Sequence, residues 1–208
     1  SKYKGEMLVS TTGSLDSDFA KLAQKVITEN YPYWQPQPNY TYLFEICDPS
    51  DPHIIKEESG AYLIGARINQ LDSILMDESL LDMCADINKL KRPKHFKCLF
   101  SEVKELADSS CKHEGFMIRD GLHLVKPVLC KLKSKFYLQK KAIQRIGKQK
   151  ADLIFDKTDL FIQDLDEEFI SLVLFLKENY SKQQYLELTE QERSEIIFKY
   201  FEDKGETF

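Results

Sequence analysis

The chain has 208 residues, 42% of them hydrophobic and 30% charged, with a formal net charge of −5. That is the make-up of an ordinary globular protein with room for one full domain and a small second one. No apolar run approaches the length that spans a bilayer and no signal-like start is present, so neither a membrane partner nor secretion is expected, and a cytoplasmic location is.

Chain order begins with Glu6-Met-Leu-Val-Ser-Thr-Thr12, which reads as a short strand ending at Gly13. Asp16 or Ser17 then offers an N-cap for a helix carrying Phe19, Leu22, Ala23, Val26 and Ile27 on one face. Pro32, Pro36 and Pro38 exclude a helix interior and make Tyr31–Pro38 a loop. The next strand, Tyr40 to Cys47, alternates Tyr40, Tyr42, Phe44 and Ile46 with Thr41, Leu43, Glu45 and Cys47. A turn follows at Asp48–Pro52, and a second strand near Ala61–Ile68. A mostly helical insert from about Leu71 to Ser110 has Phe96, Leu99, Phe100, Val103 and Leu106 as the apolar side of its second helix. Strand character returns at Glu114–Arg119, Asp120-Gly121 signals a hairpin turn, and more strand runs through Leu122–Val125 and Leu129–Phe136. From Tyr137 the period is helical, with Leu138, Ala142 and Ile146 as one apolar stripe and Phe169, Leu172, Val173 and Leu176 as another. The last helix has a capping box, Thr189 with Glu192, and Gly205 as its stop.

Charge is distributed unevenly. Nine basic residues and no acid lie between Lys126 and Lys150, and an acidic stretch from Asp156 to Glu168 follows. A basic stripe on an acidic chain suggests a defined polyanion site, with a solvated helix face as the bland alternative. The five cysteines (Cys47, Cys84, Cys98, Cys111, Cys130) are scattered, odd in number and free of CxxC pairs, which is cytosolic usage rather than a disulfide framework. His95, Cys98, Cys111 and His113 match no common zinc spacing.

Three strands carry polar residues that a strand role does not explain. Glu45 lies among aromatic strand residues, Glu114 opens Glu-Gly-Phe-Met-Ile, and Lys131 and Lys133 stand two apart, so that they share a face that Lys135 continues. A carboxylate among strand core residues is costly unless paired or bound to a cation. Two carboxylates and two lysines would satisfy one another, and would also suit magnesium with a triphosphate. Taken singly, each also reads as an edge residue facing water.

These residues fall in a known order. Thr12-Gly13-Ser14, then Phe44-Glu45 with Asp48-Pro49 and Ile54-Ile55, then Glu114-Gly115-Phe116-Met117-Ile118, then Lys131-Leu132-Lys133-Ser134 with Tyr137 beyond, resemble motifs III, IIIa, IV and V of the covalent nucleotidyltransferases. Within that superfamily the chain resembles the ATP-dependent RNA ligases of the phage tRNA-repair type, over roughly residues 5–138, and the helical tail suits them better than it suits DNA ligases or capping enzymes. There are three departures. Motif I, Lys-x-Asp-Gly, is missing, and Lys2-Tyr3-Lys4-Gly5 stands too close to motif III to supply it. Thr12 replaces the usual motif III lysine, and a longer hairpin, Gly121 to Cys130, separates motifs IV and V.

The resemblance implies an α+β fold: an antiparallel-sheet nucleotidyltransferase domain over 1–138, lacking its N-terminal part, and a small all-helical domain over 139–208. It implies a lysine upstream of Ser1 that takes AMP from ATP, so that residues 1–208 alone are inactive, and sealing of RNA 5′-phosphate and 3′-hydroxyl ends, with tRNA a candidate and no obligate protein partner. Glu45, Glu114, Lys131 and Lys133 would be catalytic. Gly13 and Ser14 would join them around the nucleotide, Phe44 would be either a wall of the adenosine pocket or plain core, and Glu45 and Glu114 would hold Mg2+. Lys140, Lys141, Arg145 and Lys148, at helical spacing, are the expected RNA contacts. A non-catalytic RNA-binding protein on the same scaffold, or another nucleotidyltransferase, stays open at this point.

Overall fold

The computed structural model describes residues 1–51, 53–109, 111–121 and 127–205. The fold is mixed α and β, with small antiparallel sheets and several helices. The described residues group into two compact units: one within Ser1–Asp51, Glu57–Lys97 and Asp120–Val128, the other within Pro52–Lys56, Cys98–Arg119 and Leu129–Phe208. This is not the division at residue 138 expected from the sequence. The change from strand to helix at Ser134 falls inside one packed unit, because Phe136, just past it, is buried against Phe169 with ring centroids 5.3 Å apart.

In the first unit, β1 (Lys2–Tyr3) and β2 (Glu6–Met7) pair through a two-residue turn in which Lys4 (φ 49°) and Gly5 (φ 89°) are both left-handed. That turn geometry matches the twist of a tight hairpin. The strand expected over 6–12 is therefore only two residues long. Helix α1 (Asp18–Asn30) starts where Ser17 accepts the Ala20 N–H, and it buries Ala20, Ala23, Val26 and Ile27. Strands β3 (Tyr40–Cys47) and β4 (Gly60–Ile68) pair antiparallel along their length, with a bulge between Leu43 and Phe44. Trp34 from the proline loop meets Tyr42 and Phe44 edge-on at 5.1 and 5.4 Å, closing a core that includes Ile46, Leu63 and Ala66. Helix α2 (Glu78–Asn88) is capped by Asp77 and ends at left-handed Lys89.

In the second unit, α3 (Phe100–Ser109) buries only Val103 and Ala107. Phe96 and Leu99 precede the helix and stay exposed, as do Phe100 and Leu106, so of the expected apolar side only Val103 is buried. Next come β5 (Gly115–Arg119), β6 (Leu129–Lys133) and α4 (Lys135–Gln144). The expected Leu122–Val125 strand lies outside the described residues. A short α5 (Lys148–Ala151) leads into a π turn and α6 (Thr158–Phe161). Helices α7 (Glu167–Asn179), α8 (Lys182–Glu187) and α9 (Glu190–Asp203) complete the unit. Capping boxes start both α8, at Ser181 and Gln184, and α9, at Thr189 and Glu192. Phe169, Leu172, Leu176, Tyr185, Ile197 and Phe201 are essentially inaccessible, and at roughly 1.5–3 kcal/mol for each large apolar side chain they dominate the stability of the helical core.

Candidate functional site

The hairpin of β5 and β6 and the first turns of α4 build the site. Gly115 stands opposite Lys133 and Met117 opposite Lys131, and residues directly opposite one another share a face, so both lysines rise from the same side. The side chain of Glu114, just before β5, accepts a hydrogen bond from Lys133 Nζ. Gly115 makes this approach possible. Its φ is +133°, and a Cβ there would lie 2.1 Å from the carbonyl oxygen of Leu132. No other residue fits without moving the backbone.

Ser134 turns strand into helix. Its Oγ donates to the His113 carbonyl at 2.6 Å and accepts the Tyr137 N–H at 3.0 Å, while its own N–H bonds the Glu114 carbonyl at 3.1 Å. One helical turn on, the buried Tyr137 ring lies 4.8 Å from Lys133 Nζ and 5.5 Å from Lys141 Nζ. The Lys-x-Lys-Ser-x-x-Tyr pattern thus encodes two lysines on one face, a cap, and an aromatic ring between two ammonium groups. Lys135 does not continue the lysine face. It is the first residue of α4 and pairs at 2.6 Å with Asp166, which also accepts from Gln139 at 3.1 Å and holds the Lys135 ammonium above its usual pKa.

The Glu114 carboxylate is half exposed and the Lys133 side chain 30% exposed, so their pairing is worth about 1 kcal/mol or less. A phosphate could take Glu114's place at Lys133 at small cost, which would leave the carboxylate for a cation. Among the described residues no three His, Cys, Asp or Glu side chains gather into a ready-made metal site. Glu114 fits magnesium only as one ligand beside phosphate oxygens and water, the usual company of that ion in nucleotide sites.

The remaining expected site residues belong to the first unit. Glu45 is exposed on β3, opposite Tyr62. Phe44 is half-buried against Trp34 and is part of that unit's packing. Gly13 is exposed with an ordinary φ, and Ser14 closes a turn with Thr11 through its N–H and its carbonyl.

The expected RNA face is altered. Helix α4 buries Phe136, Tyr137, Gln139, Lys140, Ile143 and Gln144, whereas Leu138, assigned from the sequence to the packed side, is 52% exposed. The helix ends at Arg145, so Ile146 is past its last turn. Lys140 is therefore not on a solvated face; it is only 4% exposed. Arg145 is engaged by Glu190 at 2.5 Å. Lys141, half-buried, and Lys148, exposed on α5, remain turned outward.

Burial, aided by the like charge of Lys56, pushes the Lys140 ammonium down to about 8. A folded-state pKa below the unfolded one means that the unfolded chain holds the extra proton between about pH 8 and 10.5, so stability rises with pH across that window. Below pH 8 the buried charge weakens the fold, and Lys140→Met should raise the unfolding free energy at pH 7 by about 1–3 kcal/mol. Urea unfolding of both proteins at pH 7 and pH 10 checks this, with the gap between them narrowing at the higher pH.

Comparison with protein-family models and with curated proteins finds no match for this chain.

Proposed function

We propose that this protein is an ATP-dependent RNA ligase, acting in RNA repair on 5′-phosphate and 3′-hydroxyl ends. The observation that carries the reading is the pairing of Glu114 with Lys133 across a hairpin that only Gly115 permits, with Lys131 beside it on the same face. In such a ligase a lysine nitrogen attacks the α-phosphorus of ATP, and the bond to pyrophosphate breaks. The AMP then passes to an RNA 5′-phosphate, and a 3′-hydroxyl attacks that phosphate and expels AMP. Each step shifts negative charge onto non-bridging phosphoryl oxygens, and fixed cations at that point lower the barrier. Lys131 and Lys133 supply those cations. Glu114, released from Lys133, orients the ribose or shares a magnesium ion that the phosphates bring with them.

A sealing assay on nicked or single-stranded RNA with a labelled 5′-phosphate tests the reading. Protein that carries a Lys-x-Asp-Gly nucleophile should convert the label to a phosphatase-resistant internal phosphate. Failure to seal, with no RNA-adenylate formed by a folded sample, would remove the proposal.

RNA affinity should come from the outward lysines. Each phosphate neutralised on single-stranded RNA releases counterions and contributes about −0.7 to the slope of log affinity against log salt. Changing Lys141 and Lys148 together to Ala should flatten that slope by roughly one to two units. Adenylylation, which involves ATP alone, should be unchanged. Fluorescence anisotropy over a salt series, alongside the adenylylation assay, reads both.

A further inference from the structure

Helix α4 turns three polar side chains inward, and among the described residues only Gln139, bonded to Asp166, has a hydrogen-bond partner for its side chain. Lys140 is 96% inaccessible, yet among the described residues it has no hydrogen bond and no carboxylate beside it, and the charge acting on it is Lys56, of the same sign. One turn on, Gln144 is fully buried, with both amide atoms unpartnered. Long lysines ordinarily carry their ammonium out to water along the stem, so a lysine held inside next to another cation needs a reason.

The reason lies in what surrounds it. Lys140 opens into a small pocket lined by Ile55, Lys56, Lys112, Phe136 and Phe198. Lys56 is held over the Phe198 ring, 3.7 Å from its centroid. Among the described residues the lining is three lysines, of which Lys140 and Lys56 face one another as like charges, with apolar or aromatic side chains for the rest. The pocket is narrow, with room for one small group and not for a nucleoside.

We infer that Lys140, Lys56 and Lys112 form a second anion site in the helical unit, which takes one phosphoryl group. The dianion supplies the counter-charge that Lys140 lacks, in a place where water is largely excluded and charge-assisted hydrogen bonds are strong. The apolar walls restrict entry to a terminal phosphate, since an internal phosphodiester would have to bring a ribose with it on each side. The site is separate from Lys131 and Lys133, and it stands whether or not the protein seals RNA.

Calorimetric titration at fixed ionic strength tests it, using inorganic phosphate, a short RNA with a 5′-phosphate, and the same RNA with a 5′-hydroxyl. Chain with Lys131 and Lys133 changed to Ala serves as the background, so that the ATP site cannot contribute. The phosphorylated RNA should bind roughly tenfold more tightly than the hydroxyl form. Inorganic phosphate should compete away the difference, and Lys140→Met should abolish it. Lys56→Ala, at an exposed position that the core does not need, should weaken binding in the same way, as an independent variant. Tight binding of inorganic phosphate without preference between the RNAs would keep the anion site and assign it to free phosphate. Equal affinities for all three ligands in the background protein and the Lys140 and Lys56 variants, or no phosphate binding at millimolar concentration, would overturn the inference.

Discussion

Lys133→Ala is expected to lower formation of the lysine–AMP adduct by at least about 10²-fold while leaving the fold and RNA affinity nearly intact. Removing one preorganised donor from a site that stabilises developing charge commonly costs 10²–10³ in rate. Lys133 is well placed for such a role: it rises from β6 beside Lys131, contacts Glu114, and has the Tyr137 ring under its ammonium. The fold loses little, because a partly exposed ion pair contributes about 1 kcal/mol or less. Single-turnover adenylylation with labelled ATP, compared with circular dichroism of the same sample, separates the two effects. An unchanged adenylylation rate would remove Lys133 from the chemistry. A collapsed spectrum would make its role structural.

Gly115→Ala should be the most damaging single methyl in the hairpin. The added carbon would sit 2.1 Å from the Leu132 carbonyl oxygen and 2.8 Å from Lys133 Cα, both backbone atoms that cannot move aside alone, at a φ of +133° that side chains rarely adopt. Strained backbone of this kind costs about 1–3 kcal/mol before any clash is counted, so a loss of about 3 kcal/mol or more is expected in urea unfolding. Gly13→Ala is the internal control. Nothing lies within 4 Å of the carbon it would add, its φ is ordinary, and its effect should stay within about 0.5 kcal/mol.

Several elements could be read from local chemistry because local chemistry determines them. The bounds Tyr40–Cys47 match β3 to the residue, although the bulge between Leu43 and Phe44 interrupts the expected alternation, and Thr189 with Glu192 marks the start of α9. Lys131 and Lys133 share a face because a strand repeats every two residues. What the sequence reading missed depends on longer-range contacts. Ser134 ends β6 and starts α4 through its bond to His113, twenty-one residues away, and that sets the helix register. Packing of Phe136 and Ile143 into the helical core turns Lys140 inward and Leu138 outward, the reverse of what the apolar stripe suggested at those two positions. The pocket beside Lys140 had no sequence signal, since Lys56, Lys112 and Phe198 come together only through folding. Gly115 was visible as a motif residue, but the reason for it is the nearness of Leu132 in the paired strand.

Transfer of AMP to the protein tests the central claim most directly. The 208-residue chain, and any longer protein that its coding sequence specifies, would each be incubated with ATP labelled at the α-phosphate and with magnesium, denatured, and digested for mass spectrometry. The account predicts label as AMP on the lysine of a Lys-x-Asp-Gly sequence, which residues 1–208 lack, and none when Lys133 is Ala. Steep salt-dependent RNA binding by a folded longer protein that never takes up AMP would contradict it, and would identify a non-catalytic RNA-binding protein instead.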